Sequence, residues 1–169
     1  MILFFYYGDF MKKRVKDSIT EQVHIIAPSD LNGYKRLFGG QLMQWIDTVA
    51  GVTARRHCEK NITTAMVDSL HFKAAAHAND LIVLIGKVTY TGKTSMEICV
   101  HSYIEEPNGI RKLINTAYFV MVALDEEEKP SKVPQIILET EEEKTEYEFA
   151  KMRQTLRKSR RNGDFYLNE

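Results

Sequence analysis

The stretch that decides the fold is residues 32–47, which read NGYKRLFGGQLMQWID. It ends a loop at Gly39 and Gly40 and then opens a helix that we expect to run from about Gly40 to His57. At about 100° per residue, one face of this helix shows the i, i+3, i+4, i+7 pattern of a buried stripe. The members of this stripe are Leu42, Trp45, Ile46, Val49, Ala50 and Thr53.

Asp47 lies at the edge of this apolar stripe, where Ala50, Gly51 and Ala54 are among its neighbours on the helical wheel. Removing water from a carboxylate is costly unless another group compensates, so an acid in such a place is often kept for chemistry. The wheel leaves a second interpretation open, in which Asp47 is exposed or pairs with Arg55 or with a neighbouring chain.

The start of the predicted helix has no Ser or Thr cap, because glycines stand there. The first backbone N–H groups of a helix have no acceptor within the helix itself. Such groups, at the positive end of the helix dipole, suit a negatively charged oxygen. The amides of Gly40 and Gln41 are therefore candidates for binding an oxyanion.

Composition excludes several classes of protein. The chain has 169 residues, enough for one domain with a real core, and its 23 basic residues balance 23 acidic ones. This balance argues against a nucleic-acid-binding protein. Cys58 and Cys99 stand alone without metal-ligand spacing, which favours a reducing cytoplasmic setting and no metal site. The apolar residues 1–10 are too short to span a bilayer, so we expect a tail, no membrane span, and Met1 or Met11 as the start.

The rest of the chain predicts strands followed by a charged helix. A strand at Glu21–Ala27 precedes the long helix, and no helical pattern separates the four strands that follow it. These are Ile62–Phe72, Leu81–Thr91, Ser95–Ile104 and Ile110–Leu124, the last three joined by short turns as an antiparallel meander. The alternation in Ser95–Ile104 predicts a half-buried strand.

A capping box at Thr140 to Glu143 begins a helix that we expect to end near Arg160 and to be largely solvated. Its acidic start and basic end suit the helix dipole, although the basic end could instead contact ligand phosphates. We therefore divide the chain into a tail at 1–19, a domain at 20–135 and a charged helix and tail at 136–169.

Motifs of other enzyme classes fail on spacing. The segment from Gly86 to Thr94 imitates a phosphate-binding P-loop, but five residues separate its glycines and an alternating strand follows. The chain has no GxSxG motif and no HExxH motif, which leaves covalent serine hydrolysis and zinc proteolysis without support.

A strand, a long helix and an antiparallel meander are expected when a sheet wraps around one helix. In this order and in its motifs, the chain resembles the hot-dog acyl-CoA thioesterases, including the cytosolic acyl-CoA hydrolases, over about residues 20–160. The matching pieces are Asn32, Phe38 to Gly40, Trp45 to Asp47, Ala54 to Cys58, Thr63 to Asp68, Leu70 to Phe72, Gly92 to Glu97 and Val133 to Gln135. The resemblance implies an α+β hot-dog fold with an extra charged C-terminal helix.

The resemblance also implies hydrolysis of acyl-CoA to a free acid and CoA, with Asp47 as the catalytic acid and Asn32 as its partner. Asp47 would act as general base on water or attack the thioester directly, and the sequence leaves both open. Asn32 could orient the water or the carbonyl. The amides of Gly40 and Gln41 would face the developing oxyanion.

In similar proteins Asn32 and Asp47 meet across a dimer interface, so we expect a homodimer, assembled as a trimer of dimers. The resemblance assigns CoA contacts to the turn at Gly92, Lys93, Thr94 and Ser95, to Arg55 and Arg56, and, less directly, to Gly39, Thr64 and Ser69. No cofactor is expected beyond the CoA of the substrate. The main alternative is a non-catalytic acyl-CoA-binding protein, which would have no need of Asn32 and Asp47 together. A hydratase is disfavoured, because no histidine lies between Pro28 and Ile46.

Overall fold

The computed structural model describes residues 12–161. Its elements are β1 (Lys12–Arg14), β2 (Thr20–Ile25), α1 (Gly39–Cys58), β3 (Asn61–Phe72), β4 (Leu81–Thr91), β5 (Ser95–Glu105), β6 (Arg111–Leu124), β7 (Gln135–Ile137) and α2 (Glu141–Arg161). The expected tail at residues 1–11, with the alternative start at Met11, lies outside this range. Residues 12–19 do not behave as a tail, because β1 pairs in parallel with β7 and Val15 and Ser18 are buried.

Five strands form one antiparallel sheet in the order β2-β4-β5-β6-β3. Helix α1 packs against all five of them and fills the inner face of the sheet. The prediction of an antiparallel sheet around one long central helix, with a second helix at the C-terminal end, is therefore confirmed. Among residues 12–161, no helix combines the length and the apolar character needed to cross a membrane.

The apolar stripe predicted for α1 forms the centre of the core. Leu42, Ile46, Val49 and Ala50 are buried between the helix and the sheet, and Thr53 is buried with them. Trp45, the sixth member of the stripe, is partly buried and stacks on His24 of β2, with the ring centroids 4.2 Å apart. The helix ends at Cys58, because Glu59 adopts a left-handed conformation with φ of 55°.

Helix α2 covers the outer face of the sheet, which the sequence analysis did not expect. The prediction that β5 is half-buried was wrong, since Glu97 and Cys99 on its outer face are also buried. Arg153 of α2 lies over the ring of Tyr118 on β6, 3.8 Å from the ring centroid. The predicted helix is present, but one of its faces is docked on the sheet rather than solvated.

Strand β3 forms one edge of the sheet and pairs with β6 alone. Its register on β6 shifts twice, between Thr64 and Met66 and again between Val67 and Ser69. Met66 and Val67, between these two bulges, are each 40% exposed. An edge strand with exposed apolar side chains is a surface on which another chain can pair.

Candidate active site

Asp47 of α1 is held by a threonine of the neighbouring edge strand. The hydroxyl of Thr64 donates a hydrogen bond of 2.8 Å to Asp47 Oδ1. Both side chains are exposed in a single chain, so the removal of water that the helical wheel suggested does not occur within one copy. The bond orients the carboxylate and leaves its second oxygen, Oδ2, open to a water or a substrate.

The start of α1 presents backbone amides without a capping side chain. Phe38 precedes the helix and makes no side-chain cap, and the first amide bonded to it is that of Leu42, which donates to Phe38 O at 3.1 Å. The N–H groups of Gly39, Gly40 and Gln41 come before this bond and have no acceptor in the helix. This end of α1 therefore has the donors that an oxyanion needs.

Two aromatic rings lie close to the glycines at this end of the helix. A Cβ atom on Gly40 would lie 2.5 Å from Cε1 of Phe38, and one on Gly39 would lie 3.3 Å from Cζ of Phe72. Phe38 and Phe72 are 56% and 55% exposed. The two glycines thus let apolar rings approach the same amides that would bind a polar oxygen.

Asn32 shapes the loop that leads to the start of α1. Its Oδ1 accepts hydrogen bonds from the amides of Tyr34 at 2.9 Å and Arg36 at 3.3 Å, which leaves its Nδ2 group for another partner. Asn32 and Gly39 line one cavity of about 380 Å³. Its other lining residues are Arg36, Leu37, Leu42, Phe72 to Ala76 and Ile114.

Asp47 is not part of this cavity. Asp47 comes seven positions after Gly40 on the same α-helix, which corresponds to about 10 Å along the helix axis. A general base must lie within about 3 Å of the proton that it removes, directly or through one water. The candidate residues of one chain therefore fall into two separate groups, Asn32 with the helix amides and Asp47 with Thr64, which we call the two half-sites.

The turn between β4 and β5 is well braced. Gly92 N donates to Ser95 O at 2.8 Å, while the carbonyls of Lys93 and Thr94 accept hydrogen bonds from Val133 N and Ala123 N. The side chain of Gln135 also donates to Gly92 O at 2.9 Å. The Lys93 side chain is exposed, so this turn presents a cation on a fixed backbone.

The two arginines predicted to contact CoA have different surroundings. Arg55 is exposed and lines a cavity of about 440 Å³ with Lys60 and Asn61. Arg56 instead donates to Ile19 O and to the Thr20 hydroxyl, both at 3.1 Å, and so holds the N-terminal segment. Of the two predicted contacts, Arg55 is the one that lines a cavity.

Ser69 lies on the other side of β3 from Thr64. In the register of β3, Ser69 pairs with Tyr118, whose ring packs against Arg153 of α2 on the outer face. Thr64 meets Asp47 of α1 on the inner face. The structure therefore brings Thr64, but not Ser69, to the carboxylate.

The two cysteines are buried, and the described part of the chain holds no cluster of side chains suited to a metal ion. Burial raises the pKa of the Cys58 thiol, and burial raises the pKa of Cys99 to about 12, so neither is a thiolate near neutral pH. Among residues 12–161, no cluster of three or more His, Cys, Asp or Glu side chains could hold a metal ion.

Sequence reasoning missed the contact between Thr64 and Asp47. It also missed the approach of Phe38 and Phe72 to the glycines at the start of α1. The motif from Thr63 to Asp68 contained the threonine, yet a strand pattern does not say which side chain meets the helix. Phe72 lies beside Gly39 because β3 ends next to the start of α1, and that juxtaposition depends on the sheet topology.

Comparisons with known proteins agree with this fold. Residues 34–110 match the family model of the thioesterase superfamily. The chain is 37% identical over 147 residues to an uncharacterized acyl-CoA thioester hydrolase of Bacillus subtilis, covering 86% of each chain. It is 36% identical over 152 residues to a cytosolic acyl coenzyme A thioester hydrolase of Mus musculus, covering 88% of this chain and 40% of the mouse protein. The chain thus spans less than half the length of the mouse relative.

Two solved structures are also similar. An apo-hexameric acyl-CoA thioesterase superposes with a TM-score of 0.85 at 40% identity, covering 88% of this chain and 96% of that one. An acyl-CoA hydrolase from Staphylococcus aureus, in complex with butyryl coenzyme A, coenzyme A and coenzyme A disulfide, gives 0.86 at 33% identity, covering 92% and 95%. The chain belongs to the acyl-CoA thioester hydrolases of the thioesterase superfamily.

Proposed function

We propose that this chain hydrolyses acyl-CoA thioesters to a free carboxylic acid and CoA, at sites that two copies of the chain build together. The observation that carries the proposal is the separation of the two half-sites by about 10 Å along α1. The amides that would bind the thioester oxygen and the carboxylate that would activate water cannot serve one substrate within a single copy. They can do so if the Asp47 half-site of a second copy faces the start of α1.

The exposed edge of β3 supports such a dimer. Thr64 lies on this strand, and the exposed Met66 and Val67 follow it directly. In a two-fold dimer, the same patch of each copy meets its counterpart, so pairing along β3 would bring the two α1 helices alongside each other in opposite directions. Each helix start would then face the Asp47 of the other copy, which gives two sites per dimer.

In the proposed reaction the thioester oxygen lies against the amides of Gly40 and Gln41, with the Asn32 amide group beside it. Asp47 Oδ2 of the second copy removes a proton from a water molecule, and the water oxygen attacks the thioester carbon. The carbon–sulfur bond then breaks, and the proton passes to the departing CoA thiolate. Donors aimed at the developing oxyanion are each worth roughly 3 kcal/mol in comparable hydrolases.

Direct attack by Asp47 to form a mixed anhydride is the other route that the same geometry permits. The hydrogen bond from Thr64 fits both routes, because it fixes one carboxylate oxygen and leaves the other to orient water or to attack the thioester carbon. Mass measurement of rapidly quenched enzyme separates the routes. An acylated Asp47 peptide would establish the anhydride.

The relative from Staphylococcus aureus supports the choice of residues. Three single variants of it have been solved, each with one residue replaced by alanine. The replaced residues are an asparagine, an aspartate fifteen residues later, and a threonine seventeen residues after the aspartate. The same spacings separate Asn32, Asp47 and Thr64. Its complexes with butyryl coenzyme A and coenzyme A support CoA as the carrier in this chain's substrate.

For the CoA part of the substrate, we assign phosphate contacts to Lys93 and Arg55. Both are exposed and lie at the same end of the sheet, where Asn61 pairs with Leu124 and Ser95 with Val122. The braced backbone of Gly92, Thr94 and Ser95 would hold Lys93 in place. The proposed reaction needs no metal or redox cofactor. The hexameric structural neighbour supports a trimer of dimers, and the cytosolic mouse relative supports a cytosolic location.

The test is thiol release from acyl-CoAs of graded chain length by the wild-type chain and by Asp47→Asn and Thr64→Val. We expect the wild type to hydrolyse at least one of them, Asp47→Asn to lose activity by at least about a thousandfold, and Thr64→Val to lose a smaller factor. Matched controls are Asp17→Asn, whose carboxylate pairs with Arg14, and Thr155→Val on α2. Binding of CoA without hydrolysis by any variant would instead favour the non-catalytic acyl-CoA-binding alternative.

A further inference from the structure

The basic face of α2 binds two carboxylates that come from different strands. Glu97 of β5 is 1% exposed, and its Oε1 accepts from Arg153 Nη2 and from the Thr89 hydroxyl, both at 2.8 Å. Arg157 donates to Glu97 Oε2 and, at 2.8 Å, to Asp68 Oδ2 of β3. Arg160 adds a longer contact of 3.7 Å to the other oxygen of Asp68. Arg157 therefore joins the edge strand to the middle of the sheet through the helix.

Asp68 occupies a special place in β3. Val67 pairs with Phe119 and Ser69 with Tyr118, so Asp68 is the extra residue of the second bulge. The first bulge follows Thr64 directly, because Thr64 pairs with Met121 and Met66 with Val120. A one-residue change of register moves every side chain of a strand to its opposite face, so the two bulges decide which residues of β3 face α1.

Within one copy, the sheet supports these bulges from one side, because β3 has a single hydrogen-bonded neighbour and a bulged residue leaves that ladder locally disrupted. The side chain of Asp68 is nearly buried, 9% exposed, and the Arg157 guanidinium that holds it is 11% exposed. A charged bond with little exposure to solvent constrains the strand more than a surface ion pair would.

We propose that Asp68 and Arg157 are positioning residues for the active site. Their bond fixes the second bulge of β3, and the register it sets places Thr64 where its hydroxyl holds Asp47. Neither side chain contacts Asp47 or Thr64 in the structure, so both act through the backbone of β3. The catalytic consequence rests on the proposed function, whereas the mechanical link between α2 and β3 does not.

The kinetic test uses Asp68→Asn and Arg157→Met, with Lys151→Met as the matched control. Lys151 is another cation of α2, and its side chain meets Glu148 and Tyr147 of the same helix. We expect kcat to fall about ten- to a hundredfold in the first two variants with KM nearly unchanged, since small misplacements of reacting groups have such effects. Arg157→Lys, which keeps the positive charge, should lose less kcat than Arg157→Met. The control Lys151→Met should keep wild-type kcat.

A double-mutant comparison separates this role from general destabilisation. If Asp68 acts through Thr64, Asp68→Asn should cost little further kcat in a Thr64→Val background, because the contact that it positions is already lost. Losses of kcat that multiply in the double variant would overturn the proposal. So would a lower melting temperature without any change in kcat well below that temperature.

Hydrogen exchange tests the mechanical link without any substrate. Backbone amides of residues 61–72 should exchange faster in Arg157→Met than in Lys151→Met, with the β4 and β5 amides less affected. Unchanged exchange in β3 would overturn the proposed anchor. Faster exchange in β3 together with a wild type that hydrolyses no acyl-CoA would support the anchor and refute the proposed function, so the two failures can be told apart.

Discussion

The proposed composite site, in which Asn32 of one copy and Asp47 of the other serve the same substrate, makes a specific prediction about mixtures of inactive chains. Asn32→Ala disables the half-site at the start of α1, and Asp47→Asn disables the half-site two turns further along the same helix. In a dimer that contains one chain of each kind, both substitutions fall in the same site. The other site then combines an intact Asn32 from one copy with an intact Asp47 from the other.

The size of the recovery follows from this arrangement. Random pairing of equal amounts of the two chains makes about half of the dimers mixed, and each mixed dimer carries one intact site out of two, so about a quarter of wild-type activity should return. Thr64 belongs to the Asp47 half-site, because its hydroxyl binds that carboxylate in the same chain. Asn32→Ala mixed with Thr64→Val should therefore also recover activity, whereas Asp47→Asn mixed with Thr64→Val should not.

The assay is thiol release from the best acyl-CoA substrate after the two chains are co-expressed in equal amounts and purified through one tag that both carry, so that random pairing is preserved. Native mass spectrometry measures the fraction of mixed dimers. A preparation rich in mixed dimers but no more active than the sum of its parents would refute the composite site. Recovery in the Asp47→Asn and Thr64→Val mixture would contradict the division of the half-sites.

Two further predictions concern pH and the CoA contact. Burial lowers the pKa of His57 to about 4 in the folded chain. As the pH falls below about 6.5, the unfolded chain therefore binds a proton at this histidine before the folded chain does. This difference in proton binding should lower the free energy of unfolding by about 2 kcal/mol at about pH 5. Denaturant unfolding should show this pH-dependent loss of stability in the wild type and a smaller loss in His57→Gln. Equal pH dependence in the two proteins would contradict the role given to His57. Lys93→Ala should raise KM several-fold with kcat retained, since the brace on this turn uses the backbone of Lys93. Steady-state kinetics of Lys93→Ala, with Lys129→Ala as the control, measures this effect. A fall in kcat without a rise in KM would contradict the contact between Lys93 and CoA.

The helix and the meander could be predicted because their patterns are local. The apolar stripe of α1 repeats at helical spacing, and the structure buries Leu42, Ile46 and Val49 as expected. The start of β4 is a continuous apolar run, a pattern typical of a strand that is covered on both faces or lies at an interface, and Ile82, Val83 and Leu84 are buried. In each case the side chains that set the pattern are the ones that make the contacts.

The role of α2 could not be predicted in the same way. Its charges are typical of a solvated helix, and Glu97 occupies a polar position of an alternating strand, so each pattern alone indicates a side chain in water. Their meeting depends on the path of the chain after β7, which lays α2 across the outer face of the sheet. The bulges of β3 could not be predicted from the sequence either, because residues 61–72 contain no glycine or proline to indicate them.

The two halves of the candidate site were predicted by different kinds of evidence, and the structure relates them. The amides of Gly40 and Gln41 followed from helix physics, whereas the pairing of Asn32 with Asp47 came from resemblance. The length of α1 connects them, since one rigid helix sets the distance from its first amides to Asp47. If two such helices lie antiparallel with residue 40 of each opposite residue 47 of the other, the two-fold axis passes beside residues 43 and 44. Met43 lies one turn before Asp47 and is 39% exposed, as expected for a side chain that a second copy would cover.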